Sequence, residues 1–141
     1  MATNTFAITH LSDVAAAVAW ARRCARQAGL ADAACDEVAL CVAELASNVV
    51  KFAGCGELFI DDDGGRLRLV SQDRGPGLDD AAALFAEGHS SLNVVDEVPV
   101  SLGGGGASLS RFMDTVVVHR RRHGGLTVCA ERAFDTPRSL S

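Results

Sequence analysis

The sequence predicts an α+β two-layer sandwich, a mostly antiparallel sheet covered by helices on one face. Helical patterning fills two adjacent segments near the N-terminus, and two pairs of short strands each meet at a glycine-containing turn. Helices alternate with hairpins rather than with single strands, so stacking them on one face of the sheet is the economical packing. The chain has 141 residues, 48% of them hydrophobic and 22% charged, which suits a folded domain rather than a disordered segment. One domain spanning residues 1–141 is expected, large enough to bury a core without covalent staples.

Taken in order, Phe6 and Ile8 alternate in a short extended run. Ser12 or Asp13 can cap a first helix whose apolar positions Val14, Val18, Ala21, Ala25 and Ala28 step by four and three, with Gly29 as its stop. Asp32 begins a second helix, with Asp36 and Glu37 in its first turns, where the helix dipole favours anions. Its core stripe reads Val38, Cys41, Val42, Leu45, Val49 and Phe52, and Gly54 ends it. Strands follow at residues 57–61 and 66–72, turning at Asp62-Asp63-Gly64-Gly65. Residues 79–87 read as a short helical patch and 88–102 as a loop. A helix is expected at 107–114, then strands at 115–122 and 126–132 joined at His123-Gly124-Gly125, with a frayed tail after Ala133.

Composition excludes several functions. Thirteen basic against eighteen acidic residues give a net charge of −5, which argues against broad binding to a nucleic-acid backbone. Cys24, Cys35, Cys41, Cys55 and Cys129 are odd in number and contain no C-x-x-C pair, so free thiols in a reducing compartment are expected rather than a disulfide frame or a zinc site. Residues 1–10 lack the pattern of a secretory leader, and no apolar run approaches the roughly 18–20 residues of a membrane span. A cytoplasmic protein with no nucleic acid or membrane partner is the expectation.

Three stretches carry chemistry. Glu44 and Asn48 lie four apart on the second helix and share a face, which Lys51 extends by a turn. A solvated face with an ordinary i,i+4 pair would look the same. However, Lys51 is the only lysine beside twelve arginines, and asparagine is a poor mid-helix residue. An asparagine oxygen suits a magnesium ion that keeps most of its waters, and a lysine one turn on can meet phosphate as a point charge. Asp73-Arg74-Gly75-Pro76-Gly77 follows a strand. It could be only a turn, but its glycines would also let a flat ring approach the backbone, with Asp73 accepting from an exocyclic amine. Gly103-Gly104-Gly105-Gly106 precedes a helix, reading either as a linker or as an anion cradle of consecutive amides. Together and in this order the three are far more specific than any one.

E-L-A-S-N (44–48), D-R-G-P-G (73–77) and the glycine run before L-S-R-F-M-D (109–114) resemble the N box and glycine boxes of the GHKL ATPase/kinase superfamily. Within it, A-E-L-A-S-N-V-V-K-F-A-G-C-G (43–56) and S-R-F-M-D (110–114) most resemble the small bacterial serine/threonine kinases of sigma-factor partner switching, the RsbT, RsbW and SpoIIAB type. The resemblance implies a Bergerat ATP-binding fold with ATP and Mg2+ as cofactors. It makes Glu44 the general base and Asn48 the magnesium ligand, places Asp73 at the adenine amine, and lines the base with Gly75 and Gly77. Gly103 and Gly105 would bound an ATP lid at about 88–106, and Lys51 matches an N-x-x-K-F variant in which the lysine approaches phosphate. The substrate implied is a STAS-domain protein, with a sigma factor, a PP2C-type phosphatase and a second copy of the chain as further partners. Gly106 stands where the resembled kinases carry a bulky apolar residue, and 88–102 is longer than their lid, so a nucleotide-dependent anti-sigma or partner-sequestering protein with little kinase activity is the alternative. A metal or nucleic-acid site on His119, His123 and Arg120–Arg122 is the rival from another class. The segment reads as strand and turn, so these side chains need not converge, and a solvated hairpin tip explains them better.

Overall fold

A computed structural model describes residues 3–73, 93–94, 107–120 and 125–135. The helix read at 79–87, Gly75, Gly77, the lid apart from residues 93–94 and with it Gly103 and Gly105, and His123 lie outside the described residues. The elements are β1 (Asn4–Ile8), α1 (Asp13–Ala28), α2 (Asp32–Asn48), β2 (Gly56–Asp62), β3 (Arg66–Asp73), β4 (Asn93–Val94), α3 (Ala107–Phe112), β5 (Thr115–Arg120) and β6 (Leu126–Ala133). The sheet order is β1-β2-β3-β6-β5-β4; the first five strands pair antiparallel, and the two-residue β4 runs parallel to β5. β4 falls inside the stretch read as loop, because its pairing comes from β5 and not from any period of its own.

Alternation fixes which face is covered. Register places Leu58 opposite Ser71 and Ile60 opposite Leu69. Leu69 in turn faces Ala130, and Ser71 faces Val128. Ala130 faces Val116 and Val128 faces Val118. All of these are buried, in one cluster with α1 and α2 residues apart from Ser71, the buried polar residue among them. The helices therefore lie on one face. The other face carries Phe59, Val70 and Cys129, and around them a shallow concavity of about 390 Å³ that also takes in Arg68, Gln72 and Thr127.

α1 and α2 form a hairpin through Gly29, whose left-handed φ of 108° lets its amide reach the Ala25 and Arg26 carbonyls. An Arg22–Asp36 ion pair of 3.0 Å joins the two helices. The N-terminal cap differs from expectation: Ser12 makes no capping bond, and Asp13 Oδ2 instead accepts the Thr9 and His10 amides at 2.8 and 3.0 Å. These bonds hold the Asp13 carboxyl below its ordinary pKa. The buried stripe of α1 also differs, running through Ala17, Trp20, Ala21, Cys24 and Ala25 while Val14 and Val18 are only half-buried. Trp20 sets it, its ring packing 5.3 Å from that of Phe6 on β1. The tail departs from fraying at its start, since Phe134 packs on the core and its amide donates to the Gly65 carbonyl at 2.9 Å.

α2 does not run on to Gly54 as one α-helix. Residues Val49–Ala53 form a π-helical turn closed by the Gly54 amide on the Val49 carbonyl at 2.8 Å. The wider turn keeps Val49 buried and leaves Lys51 exposed, at a different azimuth from the one a continued α-helix would give.

All five cysteines are free. Burial, with Glu44 nearby, pushes the Cys41 thiol up to about 12, and burial also raises Cys24, Cys35 and Cys129. Only the thiolate alkylates, so at pH 8 the folded protein should label first at half-buried Cys55 and at Cys41 only on unfolding, as read by peptide mass spectrometry. Equal labelling rates at the two would contradict this packing. A second prediction concerns Gly125, which is buried with φ 90° and packs against the Asp73 carbonyl so closely that a Cβ there would collide with it. Gly125→Ala should cost about 2–5 kcal/mol in urea denaturation, from left-handed strain plus overpacking. Gly64→Ala, with φ 89° and open space around it, should cost only the strain, about 1–2 kcal/mol.

Candidate functional site

Glu44 and Asn48 occupy one side of the last two turns of α2, both half-buried. That side is available because α2 turns Val38, Val42, Leu45 and Ala46 into the core and leaves the adjoining stripe at its margin. The stripe meets the N-terminal end of α3. The Ser108 amide donates to both Glu44 carboxylate oxygens, at 3.2 and 3.1 Å, and the Cys41 thiol sits 3.5 Å from the Ser108 carbonyl as a weak donor. A carboxylate at the electropositive end of a helix satisfies an amide that has no intrahelical partner. The base expected on the second helix and the helix after the glycine run are thus in direct contact.

Asp73 ends β3 on the helix-facing side, two residues beyond buried Ser71. Its Oδ1 accepts the Leu126 amide at 3.0 Å, which fixes the carboxylate at the start of β6. Two glycines make room for this strand end. Gly125 admits the Asp73 carbonyl, and at Gly56 a Cβ would lie 2.5 Å from the Gln72 carbonyl oxygen, 2.9 Å from Val49 Cγ1 and 3.1 Å from Asp73 Cα. Gly56 therefore touches both Asp73 and the residue after Asn48, bringing the acidic strand end and the asparagine helix to one end of the sandwich. The concavity on the open face of the sheet lies on the opposite side from these groups.

The donor set at this end comprises an amide oxygen on Asn48, carboxylates on Glu44 and Asp73, and an ammonium on exposed Lys51. This chemistry fits a magnesium–nucleotide complex: a neutral oxygen for a hydrated metal, a cation for phosphate, and an acceptor for a ring amine. Gly75, Gly77, Gly103 and Gly105 lie outside the described residues. On the rival hairpin His119 is exposed, and no group of three or more metal-ligating side chains occurs among the described residues. No helix among them is long and apolar enough to cross a membrane.

Sequence reasoning missed Ser108 as the partner of Glu44, Cys41 as a second contact of Ser108, and Gly56 and Gly125 as the packing that holds Asp73. Cys41 carried a signal, since it precedes Glu44 by three on the same helix face. Ser108 carried none, its contact spanning 64 positions of chain.

Residues 9–131 match the histidine kinase-like ATPase domain. The chain is also 28% identical over 106 residues to the serine/threonine-protein kinase RsbT of Bacillus subtilis (strain 168), an alignment covering 72% of this chain and 74% of that protein. With the domain match spanning nearly the whole sequence and the fold an α+β sandwich of antiparallel strands under helices, the chain belongs to the histidine kinase-like ATPase family.

Proposed function

We propose that the protein is a Mg-ATP-dependent serine/threonine protein kinase of a bacterial partner-switching system, phosphorylating a STAS-domain antagonist. The observation that carries the reading is the placement of Glu44, a half-buried carboxylate held in a fixed orientation by the Ser108 amide one turn from Asn48. A protein that only sequestered a partner has no need of a base there. Likeness to RsbT adds the class of acceptor.

Phosphoryl transfer asks a protein chiefly to position groups and neutralise charge. Magnesium, when bound, supplies that neutralisation at the phosphate oxygens. Asn48 would offer it one neutral oxygen, Lys51 a point charge to the phosphates, and Asp73 an acceptor to the adenine amine. A single amide occupies part of the lone-pair capacity of the Glu44 carboxylate, leaving room for a second donor. Glu44 takes the proton of the serine or threonine hydroxyl as that oxygen bonds to the γ-phosphorus, and the bond from phosphorus to the bridging oxygen breaks to release ADP. The alternative, a nucleotide-dependent anti-sigma or partner-sequestering protein, draws its support from Gly106 in the second glycine box.

Glu44→Gln should keep nucleotide affinity and lose about 10²–10⁴-fold in transfer of labelled phosphate to a STAS-domain protein. Equal turnover in variant and parent would remove Glu44 from the mechanism, and nucleotide binding without any transfer by the parent would favour the sequestering reading. Asn48→Ala should abolish the magnesium dependence of ATP binding in calorimetry with and without metal. Asp73→Asn should narrow the preference for ATP over GTP, and an unchanged preference would displace Asp73 from the adenine.

A further inference from the structure

We propose that Arg132, outside every motif named above, is a positioning residue for Glu44: it holds the far end of α3 and so keeps the Ser108 amide on the Glu44 carboxylate. The inference rests on Glu44 acting as the base proposed above.

The six residues of α3 are too few for a helix to persist alone. A helix so short leaves most of its amides and carbonyls without intrahelical partners, so groups outside it must hold both ends. Leu109, fully buried, and Met113, just past the end of α3, fix one side in the core, but apolar burial is non-directional and does not set tilt or register. Polar contacts do. Glu37, Cys41 and Glu44 step by four and three along α2 and form one stripe. Glu44 and Cys41 take the amide and the carbonyl of Ser108 at one end of α3. Glu37 reaches the other end through Arg132, whose Nη1 lies 2.7 Å from Glu37 Oε1 and 3.3 Å from the Phe112 carbonyl oxygen. α3 is therefore gripped along its length and runs antiparallel to α2.

The sign of the charges makes Arg132 indispensable to this arrangement. The Glu37 carboxylate and the carbonyl end of α3 are both negative and would repel each other without a cation between them. Arg132 is 19% exposed and Glu37 33%, so water screens the contact only in part, and removing the cation would leave a carboxylate uncompensated. β6 holds the guanidinium in place. The Asp114 amide donates to the Glu131 carbonyl and the Ala133 amide donates to Asp114 Oδ2, both at 2.8 Å, so the residues flanking Arg132 fasten the turn after α3.

The test pairs kinetics with amide exchange in the full chain. Arg132→Met keeps the apolar stem and removes the charge. It should lower kcat for phosphotransfer by at least about tenfold, as loss of charge-assisted contacts implies, with nucleotide affinity unchanged. Arg132→Lys should restore most of the rate, because one nitrogen makes both contacts. In the Glu44→Gln background, Arg132→Met should cost nothing further. Without nucleotide, Ser108 amide protection should fall in Arg132→Met and recover in part in Glu37→Gln/Arg132→Met, where neither charge remains. A kcat loss that persists in full in the Glu44→Gln background, or Ser108 protection equal to the parent's, would overturn the proposal. If the parent transfers no phosphate, the kinase reading fails and the exchange measurement alone decides whether Arg132 positions the Glu44 contact. If Arg132→Met does not fold, Arg132→Gln, which keeps a donor and loses the charge, takes its place under the same criteria.

Discussion

A carboxylate on a long helix facing the amino end of a very short one is the constraint on which the rest of this site depends. Glu44 sits on α2, whose opposite side is committed to the core through Val38, Val42 and Leu45, so the backbone that carries it is fixed. α3 is tied to the core by fewer groups, Leu109, half-buried Phe112 and the following Met113. The contact at Ser108 thus runs from a fixed element to one whose position is conditional. That asymmetry makes the seating of α3 depend on the Glu44 side chain.

Much of the scaffold is legible in the residues because its signals are local. Alternation in Leu58 and Ile60, Leu67 and Leu69, and Leu126, Val128 and Ala130 gives strands and their buried face together. The spacing of Val38, Val42, Leu45 and Val49 gives the inner side of α2 in the same way. Legibility fails where contrast is weak. α1 is rich in alanine on several sides, so its period could not choose among stripes, and Trp20 with Phe6 made the choice. The π-helical turn is equally hidden: Val49–Ala53 carries no local break, and the turn reflects Val49 settling against Gly56 while Gly54 closes the helix.

The candidate site divides along the same line. Glu44 and Asn48 are readable as a pair because four residues separate them on one helix. Their meaning depends on groups that sequence distance conceals: Ser108 for Glu44, and the Gly56–Val49 contact that brings Asp73 towards Asn48. Gly125 is a similar case. In the sequence it is a turn glycine like any other, but in the fold it is the position where a side chain would strike the Asp73 carbonyl.

Asp73 and Ser108 are held by different physics. At Asp73 the chain is fixed by close packing, with Gly56 and Gly125 admitting the strand end and the Leu126 amide locking its carboxylate. Packing of this kind is short-ranged and insensitive to salt. At Ser108 the chain is fixed by charge, through Glu44 at one end of α3 and the Glu37–Arg132 pair at the other. Partly exposed charges weaken with ionic strength, and a competing anion or cation can displace them. In this fold the electrostatic anchor is the one beside the candidate base, so ionic strength bears on the seating of α3 more than on the strand that carries Asp73.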